Sequence, residues 1–194
     1  MNLLTNIATA ALVSLVSLTA CGQQNTKTAE NMQQDNSDKK VLVAYFSATG
    51  TTRAVAQRLA KAANADIFEI APAQEYTDAD LDWSNDQSRT TIEMKDPASR
   101  PELARTCEDI AKYDIVYIGF PVWWYVAPHI INSFVEAHNL QGKVLVPFAT
   151  SGGSGIAGCV KPLRETYPTL DWRDGKLLNS PSDDTIAAFV AENK

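Results

Sequence analysis

The sequence predicts an α/β fold: a three-layer, doubly wound sandwich in which a five-stranded parallel sheet carries helices on both faces. Three observations lead there. From Val41 onward, β-rich runs such as VLVAYF (Val41–Phe46) and DIVYIGF (Asp114–Phe120) are apolar at successive positions, as strands covered on both faces require. These runs alternate with stretches of helical periodicity, an order that right-handed crossovers fold into a parallel sheet. The chain has 194 residues and is 45% hydrophobic, enough for one sizeable core.

The elements follow in order. After VLVAYF, a helix is expected from about Thr51, with Val55, Leu59 and Ala62 on one stripe. DIFEIA (Asp66–Ala71) is the second strand. The polar stretch Pro72 to Arg100 carries no single periodicity and is left without an element; a helix is expected from Pro101 to Lys112. DIVYIGF is the third strand, and it runs straight into Trp123, Trp124 and Tyr125. Pro128 suits the first turn of the next helix, whose core face is Ile130, Ile131, Phe134 and Val135. KVLVPFAT (Lys143–Thr150) is the fourth strand. A glycine-rich turn, a helix through about Tyr167, a weak fifth strand near Lys176–Leu178 and a helix from Ser182 complete the chain.

The residues before Val41 are of another kind. Ile7–Leu18 is an apolar run too short to span a bilayer as a mature helix but of the size of a secretory signal core. LTAC (Leu18–Cys21), followed by Gly22, resembles the lipobox of bacterial lipoproteins. That resemblance implies a signal peptide over residues 1–20, lipidation of Cys21, and a protein held at a bacterial membrane outside the cytoplasm; it departs in having no Lys or Arg over Met1–Ile7, and a plain cleaved signal or an apolar terminus is the alternative. Residues 21–40 are almost wholly polar and read as a flexible tether, leaving residues 41–194 as the folded domain.

Composition narrows the partners. A formal charge of −6 with no basic cluster argues against nucleic acid. Three cysteines, at positions 21, 107 and 159, are too few and too scattered for a disulfide framework or a metal spacing, so no metal is expected.

In an open parallel sheet, ligands sit beyond the carboxyl ends of the strands where the strand order reverses. The loops there are SATGTT (Ser47–Thr52), PVWWYVAP (from Pro121) and SGGSG (from Ser151). The first offers the hydroxyls of Ser47, Thr49, Thr51 and Thr52, with Ala48, Gly50 and the opening amides of a helix, and no Lys. Such groups surround a phosphate monoester, whereas the missing Walker lysine argues against a nucleoside triphosphate. Capping of the helix by Thr49 or Thr51 is the structural alternative.

FSATGTTRAVA resembles the phosphate loop of flavodoxins, and IGFPVWWYVAP with FATSGGSG resembles their two isoalloxazine loops. The match is to the single-domain type with YPxWW after strand three, Phe120 standing in place of the Tyr, and it extends over Val41–Lys194, including EYTDADLDW and RPEL. The resemblance implies strand order 2-1-3-4-5 and FMN as cofactor. It implies that Trp123, Trp124 and Tyr125 wall the ring, that backbone around Pro121 and Val122 faces its pyrimidine and N5 edge, and that Ser151, Gly152 and Gly153 admit close backbone approach. Tyr76 and Trp83 are candidates to cover the ring's other side. Neither flavin loop carries Lys or Arg, so a low reduction potential is expected unless Arg89, Lys95 or Arg100 reaches the site.

An electron carrier between redox partner proteins follows from this, with no catalytic side chain. An FMN-dependent reductase using NAD(P)H and a flavin or quinone is the alternative enzyme on the same fold, and an anchored binding lipoprotein without flavin is a third reading. Gly153–Gly158 formally satisfies GxGxxG, but the acidic residue expected about twenty positions on is missing. The third strand ends in Gly119-Phe120 rather than a receiver's acceptor Asp, and no thiol lies in the first loop. His129 and His138 share one predicted helix and read as surface or capping residues; Cys107 and Cys159 read as packing residues within helices. Asp78, Asp80 and Asp82 read as a solvated face, or as a dock for a basic redox partner.

Overall fold

The computed structural model describes residues 39–194. The signal peptide expected over residues 1–20, Cys21 and the expected tether up to residue 38 lie outside the described residues. Strands β1 (Val41–Tyr45), β2 (Asp66–Glu69), β3 (Ile115–Pro121), β4 (Val144–Thr150), β5 (Asp171–Trp172) and β6 (Lys176–Leu177) form one parallel sheet in the order β2-β1-β3-β4-β5, with β6 also on β4. Helices α1 (Thr51–Ala63), α2 (Arg89–Lys95), α3 (Ile130–Ala137), α4 (Ala157–Thr166) and α5 (Asp183–Glu192) accompany it. Among the described residues, no helix is long and apolar enough to cross a membrane.

The period-two alternation of β3 divides the core. Ile115 and Tyr117 join Val55, Leu59, Ile186 and Phe189 of α1 and α5 on one face of the sheet. Val116, Ile118 and Phe120 join Ile130, Phe134, Cys159 and Leu163 of α3 and α4 on the other. Burial on both faces explains why the central strands read as unbroken apolar runs. Gly119 interrupts the run for a steric reason: a Cβ there would lie 2.1 Å from the Phe148 ring on the neighbouring strand.

Four details differ from the sequence expectation. The apolar stripe of α1 ends on Ala60 and Ala63 rather than Ala62, which is exposed, because the stripe follows the 3.6-residue period from Val55 and Leu59. The helix expected over Pro101–Lys112 is absent. Instead Leu103 bridges Pro72 antiparallel, Ala73 N donates to Glu102 O at 2.8 Å and Ala104 N to Ala71 O at 2.9 Å, so the backbone groups a helix would pair are already used. Only Ile110–Lys112 winds a single 3-10 turn, closed by the buried Lys143, whose ammonium donates to the carbonyls of Ala111 and Tyr113. The helix α2 lies inside the stretch left without an element; Ser88 caps it, its Oγ accepting from Thr91 N.

The edge opposite β2 is also more complex than one weak strand. Leu145 faces Trp172 and Phe148 faces Lys176, so two residues of β4 stand opposite three, Arg173 to Gly175. This is a bulge, and Gly175 turns it at φ +75°, where a Cβ would meet Pro147 O at 2.5 Å. Pro147 brings no N–H to that part of the ladder.

Candidate functional site

Strand order reverses between β1 and β3. Tyr45 pairs with Gly119, Pro121 pairs with Thr150, and Val122 N donates to Thr150 O at 2.8 Å, so the loops after β1, β3 and β4 leave the sheet side by side. The fold thus gathers the three candidate loops at the position where open α/β sheets bind ligands.

The first loop delivers the chain into α1. Gly50 is the N-cap residue at φ +88°, a left-handed conformation costly for a residue with a Cβ, and its N–H donates to Ser47 Oγ at 3.1 Å. No side chain caps this helix and its first turn carries no acid, which removes the capping alternative for Thr49 and Thr51. Those two hydroxyls lie 3.4 Å apart on exposed residues. Thr52 differs: it is buried, and its Oγ1 lies 2.8 Å from that of Thr150, tying α1 to the end of β4. Uncapped opening amides, a positive dipole end and free hydroxyls make this an anion-accepting terminus.

The aromatic loop is a two-residue hairpin. Trp123 and Val126 exchange N–H to carbonyl bonds of 3.0 and 2.9 Å, and the two residues between them, Trp124 and Tyr125, have φ of +47° and +69°. Paired positive φ is the habit of Asn-Gly turns, so two bulky aromatics here hold strain of order 1–3 kcal/mol each. The surroundings hold the turn in place. Tyr125 O is seated against α4, 2.7 Å from where a Cβ on Gly158 would stand, and the Cys159 thiol points at the same carbonyl at 3.7 Å. Trp123 packs edge-on to Phe46 and Tyr76, with ring centroids 5.4 Å apart in both pairs.

After β4, Asn179 clamps the third loop: its amide donates to Ser151 O at 2.7 Å and its oxygen accepts from Ser151 N at 2.8 Å. Ser151 Oγ in turn accepts from the N–H groups of Gly153 and Ser154. Gly152 and Gly153 are exposed and have open space where a Cβ would stand.

A cleft of about 480 Å³ joins these parts, lined by Ala48 and Thr49, by Pro121 through Tyr125, by Ser154, and by Leu81, Trp83 and Thr90 of the long connection. That volume lies within the range of small-molecule sites. Its lining carries no charge. Arg89 pairs with Glu93, Lys95 with Asp86, and Arg100 with Glu136, so none of the three basic residues considered for the site lines it. Trp83 and Tyr125 are 79% and 75% exposed, and Trp124 39%, a concentration of uncovered aromatic surface at one opening.

Of the residues singled out from sequence, Ala48, Thr49 and Pro121–Tyr125 line the cleft; Ser47, Gly50 and Thr51 belong to the same first loop but are outside the lining, Thr52 is turned into the interior against Thr150, and Ser151–Gly153 are outside the lining next to Ser154, which is in it. Tyr76 lies behind Trp123 rather than in the cleft, whereas Trp83 is in it. Leu81 and Ser154 lie within EYTDADLDW and SGGSG without having been singled out there, and Thr90 and Asn179 fall outside every motif. The histidines occupy the two cap positions of α3, as the capping half of the expectation had it, and both are half-buried. His138 is half-buried, accepting from Cys107 N at 2.8 Å on Nε2 and facing Phe134 O at 2.7 Å with Nδ1, which fixes its proton on Nδ1. His129 stands at the N-cap position of α3 without a side-chain cap bond. Cys107 precedes the 3-10 turn rather than lying in a helix; burial raises its thiol pKa and pushes that of Cys159 up to about 11, so both stay protonated. Asp80 and Asp82 do more than meet solvent, since each accepts from a hydroxyl and a backbone N–H, of Thr77 and of Ser84, and so closes a turn on the approach to Trp83.

The model of a protein family described as Flavodoxin matches residues 40–193. Two solved chains described as flavoproteins are close: one from Bacteroides eggerthii, 51% identical over 80% of this chain and 98% of its own, with a TM-score of 0.79, and one from Bacteroides uniformis, 48% identical over 79% and 98%, with 0.77. A flavoprotein from Lactobacillus acidophilus solved with FMN is 24% identical over 72% and 92%, with a TM-score of 0.59. No curated protein matches the chain.

Proposed function

The chain belongs to the flavodoxin family, and from that membership we propose that it binds FMN without a covalent bond and passes single electrons between redox partner proteins. The observation that carries the proposal is the continuity of an uncapped, hydroxyl-lined helix start with an uncharged aromatic cleft. A phosphorylated flavin needs both, a donor-rich seat for its dianionic end and an apolar slot for its ring. The donor set fits: helix amides and hydroxyls bind a monoester with no cation. The same fold holds FMN in the Lactobacillus acidophilus flavoprotein.

The residues divide the work. Thr49 and Thr51, with the α1 amides, hold the phosphoryl end, and Ser47 keeps Gly50 in the left-handed conformation that opens those amides. Trp123, Trp124 and Tyr125 exclude water from one side of the ring, and Trp83 stands at the same opening. Pro121, Val122 and the Ser151–Gly153 turn present backbone to the ring's polar edge. A bound flavin supplies the one-electron chemistry. The uncharged lining offers nothing to offset added negative charge and favours a low potential.

An absorption spectrum and a fluorescence titration with FMN test the assignment: flavin bands and quenching are expected, and colourless protein that leaves FMN fluorescence unchanged would refute it. Anaerobic mixing of loaded protein with NADPH and a quinone separates carrier from reductase, since fast bleaching with turnover marks the enzyme. We further propose anchoring outside the cytoplasm through a lipid on Cys21. Its check is detergent-phase partitioning, lost in Cys21→Ser.

A further inference from the structure

Behind Trp123 of the cleft wall lies a group of side chains, Tyr76, Glu93 and Arg89, to which cofactor binding gives no task. Trp123 lines the cleft, and its ring meets the edge of Tyr76 at a centroid distance of 5.4 Å and an interplanar angle of 88°. The Tyr76 phenol donates a 2.6 Å hydrogen bond to Glu93 Oε2. The other Glu93 oxygen accepts from Arg89 Nε at 2.7 Å, and the Arg89 guanidinium lies 4.1 Å over the Tyr76 ring. Arg89 and Glu93 side chains are only 21% and 15% exposed, and Arg89 also donates to Gln74 O at 2.8 Å, so the group is fixed rather than waving in solvent. A tyrosine whose only task was to pack on Trp123 and Phe46 would need neither a carboxylate at its hydroxyl nor a cation over its face.

We propose that Trp123, Tyr76 and Glu93 form a proton-coupled relay that carries an oxidising equivalent out of the flavin cleft and parks it on Tyr76. This rests on the reading that the cleft holds a flavin; the oxidant is that flavin excited by blue light, or another one-electron oxidant seated there. In the first step the oxidant gains one electron from the Trp123 indole, leaving an indole radical cation. In the second, one electron passes from Tyr76 to Trp123 across the edge contact, while the phenolic O–H bond breaks and a new O–H bond forms on Glu93. Trp123 is closed-shell again, Tyr76 is a neutral phenoxyl radical, and Glu93 is a neutral acid. Return of the electron to Tyr76 and of the proton from Glu93 restores the start.

The geometry makes the second step concerted. Tyr76 keeps its proton in the resting state, because burial first and the Glu93 carboxylate second raise its pKa. Electron loss without proton loss would put a positive ring under the Arg89 guanidinium, an arrangement that like-charge repulsion disfavours at 4.1 Å. Moving the proton along the existing hydrogen bond leaves the ring neutral. Once Glu93 is protonated, Arg89 has lost its ion-pair partner, and that loss drives the proton back.

The test is flash photolysis of FMN-loaded protein, after loading has been verified by quenching of FMN fluorescence. A transient indole radical decaying into the narrow band of a neutral phenoxyl radical is expected, more slowly in deuterated buffer. In Tyr76→Phe the phenoxyl signal should vanish and the indole radical live longer. In Glu93→Gln its yield should fall about tenfold or more, because the amide keeps a hydrogen-bond acceptor but takes no proton. A phenoxyl signal unchanged by either substitution, or none in the wild-type chain, overturns the relay while leaving FMN binding intact. Were FMN not to load, the cleft reading alone would fail. Pulse radiolysis with azide radicals then tests the same Trp123 to Tyr76 transfer in the flavin-free chain, where an identical decay in Tyr76→Phe would overturn it.

Discussion

Thr52 and Thr150 lie 98 positions apart in the chain, yet their hydroxyl oxygens are 2.8 Å apart in a buried contact. The pair sits where α1 begins and β4 ends, so it fixes the distance between the first loop and the third loop. Thr52→Val conserves the shape but leaves the Thr150 hydroxyl buried without its partner, and a cost of about 1–3 kcal/mol is expected. Urea unfolding reads this as a lower midpoint with unchanged slope, and an unchanged midpoint would show that the contact contributes nothing. Thr49 makes the opposite kind of prediction. It is exposed and caps nothing, so Thr49→Val should leave unfolding unchanged while weakening FMN more than riboflavin, which lacks the phosphate. Equal weakening of both would remove Thr49 from the phosphoryl seat.

At the scale of elements, the Trp124-Tyr125 turn holds a strained backbone while its rings line the cleft. With Tyr125 at φ +69° and 75% exposed, Tyr125→Gly removes left-handed strain of about 1–2 kcal/mol and sacrifices little packing. The flavin-free variant is therefore expected to melt at or above the wild-type temperature while binding FMN less tightly. Loss of stability together with full affinity would mean the strain is not located there. This turn also marks where sequence reading stops. WWY at a strand end announces a partner for the rings, but neither its left-handed backbone nor the Gly158 gap that receives Tyr125 O has a local signature. The central strands, α1 and the three loops were legible, because apolar runs, one helical stripe and a Gly-rich hydroxyl loop are each local signals. The Pro101–Lys112 helix failed for the converse reason: local pattern favoured it, and pairing of Leu103 with Pro72, thirty-one positions back, won. Two-residue β5 was too short to leave any period at all.

For the molecule as a whole, acid should act in two stages. Burial first lowers the His129 pKa below its ordinary 6.5, opposed by the nearby Glu93 backbone, with Arg100 lowering it further and Asp96 and Glu93 raising it. A group with a depressed folded pKa contributes stability above its unfolded value and loses it as pH falls, so unfolding free energy should begin to drop as pH passes below 6.5. His129→Gln should remove this first stage alone. The second stage belongs to surface carboxylates held below their usual range. These are Asp66, held by the Tyr113 phenol and by Lys112; Asp183, held by Arg58; and Asp86, held by Lys95. Their contribution is present above the ordinary carboxylate range and vanishes as pH falls through the folded values. Denaturant midpoints across pH, with and without added salt, separate the two, because salt screens the exposed pairs more than the half-buried imidazole.

The bulge that divides β5 from β6 reaches beyond the monomer. An open sheet invites a second molecule to lay a strand along its rim, and the danger grows wherever many copies are crowded together. Here one rim is cut into two-residue pieces by a kink at Gly175, and the other, β2, is four residues long with Asp66 and Glu69 at its ends. Neither offers a docking strand enough unpaired backbone to zip onto, so dense packing of this protein should leave it as separate, native units.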